Sequence, residues 1–205
     1  MKNVDLFGLF PKPVMKSELD RPFTEVELAF FAKQSNNVKR NSGNNASKDT
    51  YVLRNPEMLN LVKELNKNIA EYVAKVIVPV EGVTPYITQS WLNYTKPGEY
   101  HHKHHHENSL ISGVLYIQAE DKKDKIHFFD DTKHTITVKA KEFNVFNSPS
   151  WWVGVKTGNL ILFPSYIDHM VETTESKNTR ISLAFNVFMS GILGDQIGLT
   201  ELKLQ

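Results

Sequence analysis

The stretch GEYHHKHHHENSLISGVLYIQ, residues 98–118, carries the reading of this chain. Five of the eight histidines fall inside it: His101, His102, His104, His105 and His106. A strand-like run, Ser109 to Gln118, follows at once. A histidine tract at a chain end reads as a tag, but this one lies between two strand-like runs. On an extended strand, residues i and i+2 point to the same face. His104 and His106 can therefore converge on one metal ion, and so can His105 and Glu107. The plain alternative is a solvated loop that collects metals adventitiously. Such a loop needs no partner elsewhere in the chain.

Partners exist downstream. The run NLILFPSYID, residues 159–168, reads as a buried strand ending in a turn, and His169 follows Asp168. Arg180 then opens RISLAFN, residues 180–186, where Arg180 and Ser182 alternate with Ile181, Leu183 and Phe185. Arg180 and Ser182 thus share the face opposite those apolar residues. An arginine turned into a β-sandwich must meet an anion, because burying it unpaired is costly. Its planar fork suits a carboxylate, and Ser182 adds a hydroxyl. Taken alone, a surface arginine on an edge strand is the simpler reading.

Working outward, short β-rich runs at 86–93, 109–118, 125–129, 135–138, 159–163, 169–173 and 180–189 suggest two sheets. Upstream the chain is more helical. Residues 3–10 (NVDLFGLF) read as an edge strand stopped by Pro11 and Pro13. Thr24 caps a short helix through Ala29, Phe30, Phe31 and Ala32, with Glu25 and Glu27 in its first turn. Residues 36–50 read as a long polar loop. Asn55 and Pro56 then start an amphipathic helix whose apolar face is Met58, Val62, Leu65, Ile69, Tyr72 and Val76. We expect one α+β domain over 1–205, with N-terminal helices within residues 1–80 packed on a β-barrel over residues 84–190.

Composition narrows the chemistry. The 205 residues are 40% hydrophobic and 23% charged, with net charge +1, so the chain is globular and without an electrostatic footprint for nucleic acid. It has no cysteine, which excludes disulfides, thiolate metal sites and cysteine nucleophiles. No signal peptide or membrane span is legible, and a soluble, cytoplasmic protein is the expectation.

Four stretches together resemble the iron(II)- and 2-oxoglutarate-dependent oxygenase superfamily. They are Trp91 to Asn93 with Gly98, His104 to Ser109 with Ser112 to Tyr116, Gly158 to Ser165 with His169, and Arg180, Ser182 and Asn186. More narrowly, they resemble a small prolyl-4-hydroxylase-like family of that superfamily. The match runs in order from about 90 to 190, which is more specific than any lone motif.

The resemblance implies a double-stranded β-helix, a jelly-roll or cupin-like barrel. It implies iron(II) held by His104, His106 and His169. The usual triad is two histidines and a carboxylate, so His105 with Glu107 is the alternative frame. It further implies that 2-oxoglutarate is held by Arg180, Ser182, Tyr116 and Asn93. Oxygen and 2-oxoglutarate are then co-substrates, and an unidentified small molecule or protein is hydroxylated. Trp91, Leu115, Phe128 and Phe163 are candidate apolar walls, and Asn93 and Tyr94 candidate lining residues. Asp168 is either a support for a metal ligand or a turn residue. Trp151 and Trp152 read as a packing wedge or, less simply, a contact for substrate or a partner, and His127 and His134 as structural or surface residues. A cupin-like metal protein without 2-oxoglutarate and a non-catalytic module are the competing readings.

Overall fold

The computed structural model describes residues 4–132, 136 and 138–204. In chain order the strands and helices are β1 (Met15–Glu18), α1 (Glu25–Gln34), β2 (Val38–Arg40), β3 (Asn45–Ser47), α2 (Leu59–Val76), β4 (Thr84–Thr95), β5 (His101–His104), β6 (Ile111–Gln118), β7 (Lys125–Phe129), β8 (Ser150–Gly154), β9 (Asn159–Pro164), β10 (His169–Val171), β11 (Arg180–Leu193) and β12 (Leu202–Leu204). The large sheet runs β1-β9-β6-β11-β4-β3-β2, with β12 added to β11. The small sheet runs β5-β10-β7-β8. Both are open among the described residues, so the expected barrel is corrected to two packed antiparallel sheets of jelly-roll type.

Side-chain alternation explains the layering. On β6, β9 and β11 one set of residues (Ile111, Leu115, Leu160, Leu162, Leu183 and Phe185) joins a buried cluster with Phe31, Leu61, Leu65 and Ile69 of the helices. The opposite set, Val114, Tyr116, Ile161 and Phe163, joins Ile126 and Phe128 of the small sheet. The large sheet is therefore covered on both faces, which is why β6 and β9 read as near-continuous apolar runs. Each fully buried Leu, Ile or Phe contributes roughly 1.5–3 kcal/mol. Gly113 is required where Phe185 crosses it, since a Cβ there would lie 2.1 Å from Phe185 Cζ.

The helices follow local rules with one deviation. Thr24 Oγ1 accepts from Glu27 N (3.2 Å), and the Glu27 carboxylate accepts from Thr24 N (2.8 Å), a complete capping box. Asn55 does not cap α2. Its amide donates to Asp49 Oδ2 and Val52 O, both at 2.9 Å, and Pro56 opens a 3-10 turn, Pro56–Met58, ahead of the helix. The buried stripe is Met58, Leu61, Leu65, Ile69, Tyr72 and Val73. Val62 falls on its margin, and Val76 is 40% exposed.

Other expectations change too. Residues 4–10 form no strand, because β1 already fills the free edge of β9. Residues 36–50 are not loop throughout, since β2 and β3 pair as a hairpin whose β3 edge joins β4. β1, β5, β8 and β12 carry no strand expectation from the sequence. Asn3, His134 and two of the threonines in the run 135–138 lie outside the described residues. No helix among the described residues is long and apolar enough to cross a membrane.

Candidate metal and anion site

Three histidines converge between the sheets. His104 on β5 lies directly across the ladder from His169 on β10. His106 follows β5 and is anchored by its backbone N–H to Ser165 O at 3.0 Å. One nitrogen from each of His104, His106 and His169 lies within 4.8 Å of the others. Their ring centroids are 4.4–5.2 Å apart.

Each ring is oriented by its Nδ1. His104 Nδ1 donates to His102 O (2.8 Å), His106 Nδ1 to Asn186 Oδ1 (2.6 Å), and His169 Nδ1 to Ile167 O (3.1 Å). Ser112 Oγ lies 3.0 Å from the same His106 nitrogen and 2.9 Å from Ser165 Oγ, which donates to Ser109 Oγ. A ring that donates through Nδ1 keeps its Nε2 lone pair free, the state that binds metals. Burial, then the neighbouring imidazoles, pushes His169 down to about 3 and His106 to about 4. Burial lowers His104 as well. All three are neutral at pH 7.

The alternative pair does not join them. His105 is exposed, with Nδ1 2.9 Å from Asp168 Oδ1, and Glu107 is exposed. Asp168 also meets Lys103 at 3.0 Å, while His169 Nδ1 takes a backbone carbonyl. Asp168 thus braces His105 and Lys103 rather than His169.

The second half of the site is a polar row across neighbouring strands of the large sheet. Ser182 pairs with Asn93 on one side and Tyr116 on the other. All three are buried, and Asn93 Oδ1 has no hydrogen-bond partner. Arg180 follows, 2% exposed. Its Nη2 donates to Thr95 Oγ1 at 3.3 Å, while Nε and Nη1 have no hydrogen-bond partner. Asp124 Oδ1 stands 3.9 Å from Nη1, too far for a hydrogen bond. Asn44 Nδ2 donates to the same Thr95 hydroxyl at 3.2 Å, so the β2–β3 hairpin helps hold the arginine's one partner. Tyr116 is fully buried, and burial pushes its phenol up to about 12, keeping it a neutral donor. Two orphaned donors on a buried cation are costly. A carboxylate would satisfy both.

The other candidates divide by face. Phe163 packs edge-on against His169 at 4.7 Å and against Phe128 at 5.0 Å, and Trp91 lies 5.4 Å from His106. Leu115 and Tyr94 are corrections: both face the helices, and the Tyr94 hydroxyl donates to Phe31 O. Trp151 and Trp152 are about half exposed on β8, an edge strand, and do not form a buried wedge. His127 is buried on β7, outside the cluster. A cavity of about 630 Å³ lined by Lys16, Lys125, Trp152 and Glu172 is likewise outside it. Asn186, Ser112, Ser165, Thr95 and Asp124 went unassigned in the sequence. The first three stood inside the recognised motif, which was the available signal.

Residues 89–186, slightly under half of the chain, match the model of the family described as "Putative 2OG-Fe(II) oxygenase". A comparison with curated protein sequences finds no match. Among solved structures, the chain is similar to an oxidoreductase of the 2OG-Fe(II) oxygenase family from Burkholderia pseudomallei, at 14% identity and TM-score 0.57, covering 85% of this chain and 83% of that one. It is similar to a Pseudomonas putida prolyl-4-hydroxylase at 12% identity and TM-score 0.54, covering 85% and 92%. It is also similar to HygX from Streptomyces hygroscopicus, solved with nickel, 2-oxoglutarate and hygromycin B, at 11% identity and TM-score 0.54, covering 86% and 82%. At these identities the likeness is one of fold. Residues 89–186 thus match the 2OG-Fe(II) oxygenase family model, and the chain shares its fold with solved members of that superfamily.

Proposed function

We propose that this protein is an iron(II)- and 2-oxoglutarate-dependent dioxygenase, a hydroxylase of a small molecule or protein. His104, His106 and His169 hold the ion. Arg180 takes the far carboxylate of 2-oxoglutarate, with Ser182, Tyr116 and Asn93 along the co-substrate. When bound, the metal, 2-oxoglutarate and oxygen would supply oxidative chemistry that turns 2-oxoglutarate to succinate and carbon dioxide, one oxygen atom going to succinate and the other to the substrate's new hydroxyl. The chain's own task is positioning. Asn186, Ser112 and two backbone carbonyls fix the three rings. Arg180 fixes the co-substrate's orientation and supplies proximity. Phe128 and Phe163 keep water from the inner face.

The observation that carries this reading is Arg180, a buried guanidinium with two unpartnered nitrogens. Charge supports it. Three neutral imidazoles leave an iron(II) ion uncompensated, and one carboxylate of a dianionic co-substrate offsets part of that charge while the other pairs with Arg180. A cupin-like metal protein without 2-oxoglutarate, or a non-catalytic module, shares the histidines but leaves Arg180 without a reason. The test is oxygen-dependent succinate formation with iron(II) and 2-oxoglutarate, alongside direct 2-oxoglutarate binding. Absence of both in correctly folded, iron-loaded protein refutes the proposal.

A further inference from the structure

The histidine tract holds a second group. One nitrogen from each of His101, His102 and His104 lies within 4.8 Å of the others, as in the inner triad. The rings of His101 and His102 stack on His104 at 4.6 and 4.7 Å. A regular strand would send adjacent residues to opposite faces. Here β5 is irregular: His101 pairs with Val171 and His104 with His169, three steps against two. The extra residue is a β-bulge, the device that re-aims side chains beside functional sites.

The group is also held in place. The tip of the β2–β3 hairpin lies on it. Ser42 O is 3.4 Å from His102 Nδ1, and Asn41 Nδ2 is 3.4 Å from His101 Nε2. Both are long bonds, weak competitors for a ring nitrogen. Gly43, at φ +90°, presses on Tyr100, where a Cβ would stand 2.5 Å from the Tyr100 carbonyl oxygen. Only glycine allows that approach. The hairpin tip is thereby fixed at the start of β5.

We infer that His101, His102 and His104 form an outer station for a divalent first-row transition-metal ion, which loads the inner site through the shared His104. Neutral imidazoles suit Zn, Ni, Cu and Fe rather than Mg or Ca. His104 lies 4.6 Å from His101 and 4.4 Å from His169, ring to ring. His104 is thus a neighbour of both groups. The inner rings are fixed by Nδ1 bonds of 2.6–3.1 Å, whereas His101 and His102 have contacts of 3.4 Å, so the outer group holds an ion more loosely and can release it inward. Ion binding at the outer station stands independently of the proposed function, and the loading role rests on its assignment of an iron site to His104, His106 and His169, not on turnover.

The test uses the full-length apo-protein and Ni²⁺ as probe, followed by calorimetry. In H106Q/H169Q the inner triad is gone, and one Ni²⁺ per chain should still bind. Adding H102A should weaken that binding at least tenfold, while adding H105A should leave it within threefold. Circular dichroism verifies folding of each variant, and glutamine keeps the inner volume filled. No Ni²⁺ bound by H106Q/H169Q, or equal affinity with and without H102A, overturns the outer station. Loading is read separately, as the rate at which Fe²⁺ enters the inner site of H102A. A rate at least threefold below wild type supports the hand-off, and an equal rate overturns it. Failure of succinate formation with these binding results intact would sink the oxygenase reading alone.

Discussion

Replacing Arg180 with methionine, together with Asp124 by asparagine, should remove co-substrate binding while leaving the fold at least as stable. Arg180 is 2% exposed, and one of its nitrogens, Nη2, donates to a side chain, Thr95. Its Nε and Nη1 are unpartnered, and Asp124 is 3.9 Å away. Two bonds from these nitrogens to a carboxylate are worth about 1.5–3 kcal/mol each. Their loss weakens 2-oxoglutarate binding by about 3 kcal/mol or more, roughly a hundredfold at least. Stability should move the other way. Exchanging a poorly satisfied buried ion pair for apolar volume is often neutral or stabilising by about 1–4 kcal/mol. Asp124 would then be a buried charge without a counter-ion, so R180M is paired with D124N. The asparagine oxygen can still accept from Glu120 N, now 2.7 Å from the carboxylate. Calorimetric 2-oxoglutarate binding and urea melts of the metal-free protein read the two effects. Binding within threefold of wild type, or a loss of more than about 3 kcal/mol in R180M/D124N, refutes the reasoning. The second result would make the guanidinium a structural post.

Four further outcomes follow from particular contacts. Iron content should fall to background in H104A and stay at wild type in E107A, because Glu107 is exposed outside the cluster; loss on E107A alone would move the triad one residue. N186A removes the 2.6 Å acceptor of His106 Nδ1 and should weaken metal binding about 10–100-fold, measured by competition with a chelator. G113A puts a Cβ 2.1 Å from the Phe185 ring; overpacking of about 1–3 kcal/mol should lower Tm by several degrees. Glu27 is buried, which pushes its carboxyl up, yet the Arg21 guanidinium and the Thr24 N–H outweigh this and lower it below 4.5. Its stabilisation is therefore complete above the ordinary glutamate range and lost as pH falls through the lowered value. The stability gap between wild type and E27Q should close on acidification, and a gap constant down to pH 3 would contradict this.

How much was legible depended on whether the signal was local. Thr24 and Glu27 lie three residues apart, and their capping box was readable as written. The run at 125–129 became β7 without change. Asn55 and Pro56 carried a good start signal, yet Asp49 and Val52 captured the asparagine. The polar composition of 36–50 pointed to loop, and pairing with β4 made it a hairpin.

The sequence by itself determined which chemistry was present: a histidine tract, a distal histidine, and an arginine on the polar phase of an apolar strand. Periodicity and motif order are properties of neighbouring residues, so they survive without coordinates. Tertiary structure decided which of these meet. It turned His105 toward Asp168, put His104 across from His169, and set Leu115 and Tyr94 on the helix side. It also revealed that β5 carries a bulge, which gathers His101, His102 and His104. A one-residue change of register moves every side chain to the other face, and the register of β5 against β10 depends on a bulge that alternation along β5 alone does not reveal.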